Sequence, residues 1–166
     1  MKIAFICGSL ELGKDGVGDY TQQLAKELTK NEIEVLLIAI NDSFIKNTLL
    51  TSQKIDNKKI KILRVSSHLS ELDRVKKAKE QIHKFKPDWI SLQFVPYSFH
   101  TKGLPFTFAK ALKELGDFRW HIMFHELWID KPEKWSQRLV SFFTKKNYQR
   151  TGIHYSTKSG SCVYCI

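Results

Sequence analysis

Apolar and polar positions along the chain fall into blocks whose period switches between that of a strand and that of a helix. Lys2-Ile3-Ala4-Phe5-Ile6-Cys7 is an apolar run of the kind found in strands buried on both faces. A loop with glycines at 8, 13, 16 and 18 follows. Val17, Tyr20, Thr21, Leu24, Ala25 and Leu28 then recur at helical spacing as one buried stripe. Residues 33–40, rich in branched aliphatics, predict a second strand, and 44–51 read as a short helical stretch. Residues 59–65 alternate as a third strand with one wetter face. A helix over 69–85 aligns Leu69, Leu72, Val75, Ala78 and Ile82, and stops before Pro87, which pushes its predecessor out of helical geometry. Strand 88–95, loop 96–103, helix 105–115 with Pro105 in its first turn, strand 119–124 and helix 134–148 complete the series.

Strands alternating with helices imply an α/β fold, a parallel sheet covered by helices on both faces. Ligands of such sheets bind at the carboxyl ends of the strands, near the switch point. The loops there are 8–18, 41–43, 66–67, 96–103 and 125–130. Residues 1–146 read as one domain. Residues 147–166 lose periodicity and read as an irregular tail, an edge strand, or a stretch that is truncated or out of frame.

Composition narrows the class. With 42% hydrophobic and 27% charged residues, the 166-residue chain is that of a folded globular domain rather than a disordered one. No apolar run approaches the roughly 20 residues of a membrane span, and the first strand leaves no room for a signal peptide. A cytoplasmic location is the expectation. The net charge of +10 suits a solvated surface, phosphorylated small molecules, or an anionic membrane surface at the inner face. The charge is not in one block: Lys58, Lys59 and Lys61 flank one strand, and Arg74, Lys76, Lys77, Lys79, Lys84 and Lys86 gather on one helix. No reading motif accompanies them, so no specific nucleic acid is expected. Cys7 reads as a small core residue. Cys162-x-x-Cys165 is half of a zinc or redox pattern with no second pair, and no metal is expected.

The loop after the first strand carries the clearest chemical signal, because it brings backbone N–H groups to a helix N-terminus where an anion is welcome. Two phosphate motifs fail there. Gly8-x4-Gly13-Lys14 has the Walker A spacing, but Asp15 stands where a hydroxyl must meet magnesium. Gly16-x-Gly18 lacks the third glycine of a dinucleotide fingerprint, although Asp42 sits where a ribose partner belongs. His125-Glu126 lacks the second histidine of a zinc-protease helix, since position 129 is isoleucine. His125 and Glu126 nonetheless leave the fifth strand at the carboxyl edge, where a histidine either satisfies backbone groups or meets a ligand. Tyr97, Phe99 and Trp128 either pack or form an acceptor wall, and His100 shares the loop of the first two.

Gly13-Lys14-Asp15-Gly16-Val17-Gly18-Asp19-Tyr20, then Leu24-Ala25-Lys26-Glu27-Leu28, resembles the opening of glycosyltransferase family 4, whose members have the GT-B fold. Pro87-Asp88-Trp89-Ile90-Ser91-Leu92-Gln93-Phe94-Val95-Pro96 and Ile122-Met123-Phe124-His125-Glu126-Leu127-Trp128 resemble that family's later strand–loop elements. The likeness spans residues 1–145. It implies a Rossmann-like N-terminal, acceptor-side domain of an enzyme that moves a sugar from a sugar nucleotide to a glycan or lipid-linked acceptor of the cell envelope. It also implies retention of anomeric configuration, no cofactor beyond the sugar nucleotide as substrate, no metal, and work at the inner membrane face. Gly16 and Gly18 match the glycines that approach the donor diphosphate. His125 matches the histidine near the reacting carbon, with Tyr97, Phe99, His100, Glu126 and Trp128 lining the cleft. The family's E-x(7)-E element, which belongs to a C-terminal half, does not occur in these 166 residues. A missing domain or a partner chain is the implied complement. The alternative is a non-catalytic nucleotide- or anion-binding domain, or one subunit of a split enzyme. The purified 166-residue chain is expected to transfer no sugar, and turnover of any sugar nucleotide in a coupled assay overturns that expectation.

Overall fold

The computed structural model describes residues 1–55, 58–100, 103, 105–126 and 162–165. Strands β1 (Lys2–Cys7), β2 (Glu34–Asp42), β3 (Leu49–Ile55), β4 (Lys58–Ser66), β5 (Trp89–Phe94), β6 (Arg119–Phe124) and β7 (Cys162–Cys165) form one sheet in the order β3-β4-β2-β1-β5-β6-β7. The five inner strands are parallel, and β3 and β7 pair antiparallel at the two edges. The chain steps outward from β1 through β2 to β4, then returns to place β5 on the other side of β1. This is a Rossmann-like α/β sheet with its topological switch between β1 and β5.

Helices α1 (Gly16–Lys30), α2 (Glu71–Phe85), the one-turn α3 (Pro96–Phe99) and α4 (Phe106–Leu112), which tightens into a 3-10 turn at Lys113–Leu115, connect the strands. The sheet separates two cores, as the alternation of side chains along each strand requires. Ala4, Ile6, Leu36, Ile38, Leu63, Ile90 and Leu92 pack with Val75, Ala78 and Ile82 of α2 and with Phe108 and Leu112 of α4. Phe5, Cys7, Val35, Leu37, Ala39 and Ile60 face α1 through Ala25. Each long helix has its own start signal. The Asp15 carboxylate caps α1, accepting from Val17 N at 3.0 Å and Gly18 N at 3.1 Å. Ser70 caps α2, accepting from Asp73 N at 3.2 Å. Lys86 ends α2 in the left-handed region at φ 53, immediately before Pro87.

Four expectations change, the first at Tyr20, which stands on the α1 stripe yet is 42% exposed. The stretch 44–51 is not helical: 43–48 is turn and bend, and Leu49 opens β3. The physical reason is non-local. The outer edge of β4 offers unpaired backbone groups, and residues 49–55 satisfy them through a seven-residue antiparallel ladder. Leu72 does not join the α2 stripe and is 70% exposed. The segment 96–103 is not all loop, since Pro96–Phe99 forms a helical turn with proline at its start. Helix 134–148 and most of the tail lie outside the described residues, while 162–165 form the short edge strand β7.

The two glycines of the α1 start differ. A Cβ on Gly18 would lie 2.4 Å from the Ser9 carbonyl oxygen, so the helix passes over the end of β1 at a distance only glycine allows. A Cβ on Gly16 would meet nothing within 4 Å. Gly18→Ala is expected to lower unfolding free energy by about 2 kcal/mol through forced displacement of backbone. Gly16→Ala should stay within about 0.5 kcal/mol of the parent. Urea denaturation of both variants checks the contrast, and equal effects would contradict it.

Candidate functional site

A buried ion pair anchors the loop after β1. Asp42, at the end of β2, has a fully buried side chain, and Arg64 of β4 reaches it from a position only 19% exposed. Arg64 Nε donates to Asp42 Oδ2 at 2.7 Å, and its NH2 donates to Glu11 Oε2 at 2.5 Å. The Asp42 carboxylate also accepts from Leu10 N at 3.4 Å and Phe44 N at 3.1 Å. Burial by itself would raise the pKa of this carboxyl. The Arg64 hydrogen bond, the two N–H groups and the guanidinium charge outweigh burial and hold it below the ordinary range. Asp42 is thus spent on loop anchoring and is not available to a ribose.

The loop itself is closed by its own acids. Gly13 turns at φ 68, and its N–H points at both oxygens of the Asp19 carboxylate at 3.1 and 3.2 Å. Together with the Asp15 cap, these bonds occupy the N–H groups of Gly13, Val17 and Gly18. The glycine of the pair that faces open, exposed space is Gly16. Gly18 is buried, and its lack of a side chain serves packing.

At the far side of β1, His125 leaves β6 with its N–H on the Phe94 carbonyl at 3.1 Å. Its ring lies edge-on to Tyr20 of α1, centroids 5.3 Å apart. Its Nε2 is 2.9 Å from Gln93 Oε1. Gln93 Nε2 donates to Ser91 Oγ at 2.8 Å, and Ser91 Oγ is 2.8 Å from His121 Nδ1. Ser91 and Gln93 of β5 are buried, and all four side chains share the α1 face of the sheet. Burial lowers the pKa of His125, opposed by the negative charge of Asp15, and burial lowers that of His121. Both imidazoles are therefore biased toward the neutral form.

The fold brings the loop 13–18 and His125 to one edge, with Tyr20 as the bridge. It does not bring all the expected cleft residues there. Phe99 is buried, stacked on Phe108 at 4.4 Å and Phe94 at 5.8 Å on the opposite, α4 face. The expectation that it lines a cleft is corrected: a phenylalanine one turn into α3 completes the core beneath. Tyr97 is 43% exposed, His100 is half-buried and Glu126 is exposed. Trp128 lies outside the described residues. Sequence reasoning missed Gln93, Ser91, His121 and the outward role of Tyr20. The available signal was two polar residues on one face of an otherwise apolar strand, beside histidines four apart on the next.

A concavity of about 560 Å³ lies on the α4 face, walled by Leu92, Phe108, Leu112, Trp120, Ile122 and Phe124. It is apolar and separated from His125 by the sheet. Cys7 is fully buried, and burial, with the charges of Asp15 and Asp42, drives its thiol pKa upward, away from the thiolate form. Among the described residues no group of three or more His, Cys, Asp or Glu side chains is placed to hold a metal ion. No helix among them is long and apolar enough to cross a membrane.

Compared with protein-family models, with curated proteins and with solved structures, the chain finds no match.

Acid should act on this site in two separate windows. His121 and His125 bind protons more weakly in the folded than in the unfolded chain. Their contribution to stability is complete above about pH 6.5 and is lost as pH falls below it. Asp42 has a depressed folded pKa, so its contribution persists until pH falls below about 3.9. Urea midpoints should hold steady from pH 8 to 7 and decline from 6.5 to 5. The decline should be shallower in His121→Gln, and an unchanged slope there would contradict the assignment.

Proposed function

We propose that this chain is the acceptor-side, N-terminal domain of a GT-B glycosyltransferase. Its sugar nucleotide sits at the carboxyl edge of β1, β5 and β6. The observation that carries the reading is the convergence of the exposed Gly16 turn with His125 across the Tyr20 ring, at the switch point of a Rossmann-like sheet. Open space at Gly16 leaves room for a diphosphate to approach the backbone. A mostly neutral His125 suits contact with a sugar hydroxyl better than with phosphate. The acceptor, a glycan or lipid-linked molecule, takes the side of Tyr97, His100 and Glu126. Exposed Lys76 and Lys84 on α2, with Lys86 at its end, give an anionic membrane surface a place to rest.

The self-capped helix start weakens diphosphate binding by this half alone under either reading, so most donor contacts fall to a complementary domain or chain. Asp15 already holds Val17 N and Gly18 N, and its charge repels a phosphate that must come close. A half-site of this kind offers a diphosphate and sugar a few hydrogen bonds, each worth about 1 kcal/mol net. That corresponds to dissociation constants of about 1 mM. Titration of the ¹⁵N-labelled chain with UDP-glucose and GDP-mannose should therefore shift the signals of Gly16, Tyr20 and His125 at millimolar ligand. Micromolar binding would favour the non-catalytic nucleotide-binding domain. Absence of any response at 10 mM, or one confined to residues away from this edge, would overturn both readings.

A further inference from the structure

We propose that Gln93 is the positioning residue of His125, holding its ring in the Nε2–H tautomer so that Nδ1 keeps the lone pair and meets a ligand as a hydrogen-bond acceptor. The assignment rests on the reading of His125 as a residue that contacts a sugar hydroxyl and adds which ring nitrogen does so, in what role, and which side chain fixes it.

The argument begins with placement. β5 is apolar on its α4 face, where Ile90 and Leu92 are core. On the α1 face it carries Ser91 and Gln93, respectively 2% and 0% exposed. A buried amide has two kinds of group to satisfy, and one left unmade costs more than an apolar side chain in its place. Both ends of Gln93 are engaged, the oxygen by His125 Nε2 at 2.9 Å and the nitrogen by Ser91 Oγ at 2.8 Å.

The direction of the chain follows from the same bonds. With its nitrogen donating to Ser91, Gln93 offers only its carbonyl oxygen to His125, and a carbonyl accepts only from N–H. Ser91 Oγ accepts from Gln93, and its own proton then has His121 Nδ1, 2.8 Å away on the other side, as its partner. Both histidines then hold the Nε2–H form that imidazole side chains intrinsically favour. Turning the amide over would force both into the less favoured Nδ1–H form. The groups around His125 are consistent with this. From α1 come the Tyr20 ring edge and the field of the Asp15 carboxylate, from β5 the neutral Gln93, and next in the chain the exposed Glu126. The direct hydrogen bond to the ring comes from Gln93, so the ring's orientation is set by an amide and not by a carboxylate.

Long-range ¹H–¹⁵N spectra of the labelled 166-residue chain at pH 7 test this. His121 and His125 should both show the neutral Nε2–H pattern. In Gln93→Met, His125 should become a mixture of tautomers, while His83, held by the Leu115 carbonyl at 2.8 Å, stays unchanged. An Nδ1–H pattern or a mixture at His125 in the parent overturns the proposal, as does a spectrum that Gln93→Met leaves unaltered. Should that variant fail to fold, Gln93→Glu supplies a second measure. A carboxylate at this position should raise the His125 titration midpoint by about one pH unit, a tenfold gain in proton affinity, and an unmoved midpoint overturns the assignment. A correct tautomer without any sugar-nucleotide response upholds the Gln93 assignment and defeats only the functional reading. The reverse pattern defeats only the Gln93 assignment.

Discussion

The carboxyl edge of this sheet depends on one buried ion pair. Asp42 and Arg64 join the ends of β2 and β4, and through Leu10 N and Glu11 they also hold the loop that leaves β1. A buried charge without its partner is costly, so the three segments are tied into a single arrangement. Asn41, next in the chain to Asp42, extends the tie toward α3 by donating to the Ser98 carbonyl at 2.8 Å and accepting from Arg74. The loop is therefore placed by contacts outside itself, and the start of α1 inherits that placement.

Once the loop is placed, the electrostatics of α1 follow. A helix N-terminus attracts negative charge, and here the chain supplies its own in Asp15, with Asp19 closing Gly13. The arrangement stabilises the helix and at the same time discounts it as a phosphate cradle. Gly18 is consumed by a close crossing with the Ser9 carbonyl, which leaves Gly16 as the glycine of the pair that faces open space. Close packing and open exposure are thus divided between glycines two positions apart.

The β5–β6 pair shows a second division, between the faces of one sheet. Phe94, Phe99 and Phe108 stack on the α4 side, and Phe124 meets Phe94 edge-on. The α1 side carries Ser91, Gln93, His121 and His125 in a continuous hydrogen-bonded row. Parallel inner strands are ordinarily apolar on both faces. A polar row at that depth orders side chains because its two buried members, Ser91 and Gln93, each bond to the neighbour on either side.

Much of the architecture was written in local patterns. The apolar runs of β1 and β2, the helical stripes of α1 and α2, the stop at Pro87 and the bounds of β6 depend on residues near one another in sequence. So does the expectation that Gly16 and His125 belong to the carboxyl edge, since loops following parallel strands all emerge there. Tertiary structure decided what depends on distant partners. Residues 49–55 became a strand because the edge of β4 needed pairing, against their weak helical reading. Tyr20, a core position by its spacing, turned outward to His125, while Phe99, a candidate for the cleft, turned inward to Phe108. Asp42 found Arg64, and Gln93 found His125, across separations of 22 and 32 residues. Periodicity reports which face of an element is apolar. It carries no record of which neighbour that face will meet, and the partners of buried polar groups are chosen only when the sheet assembles.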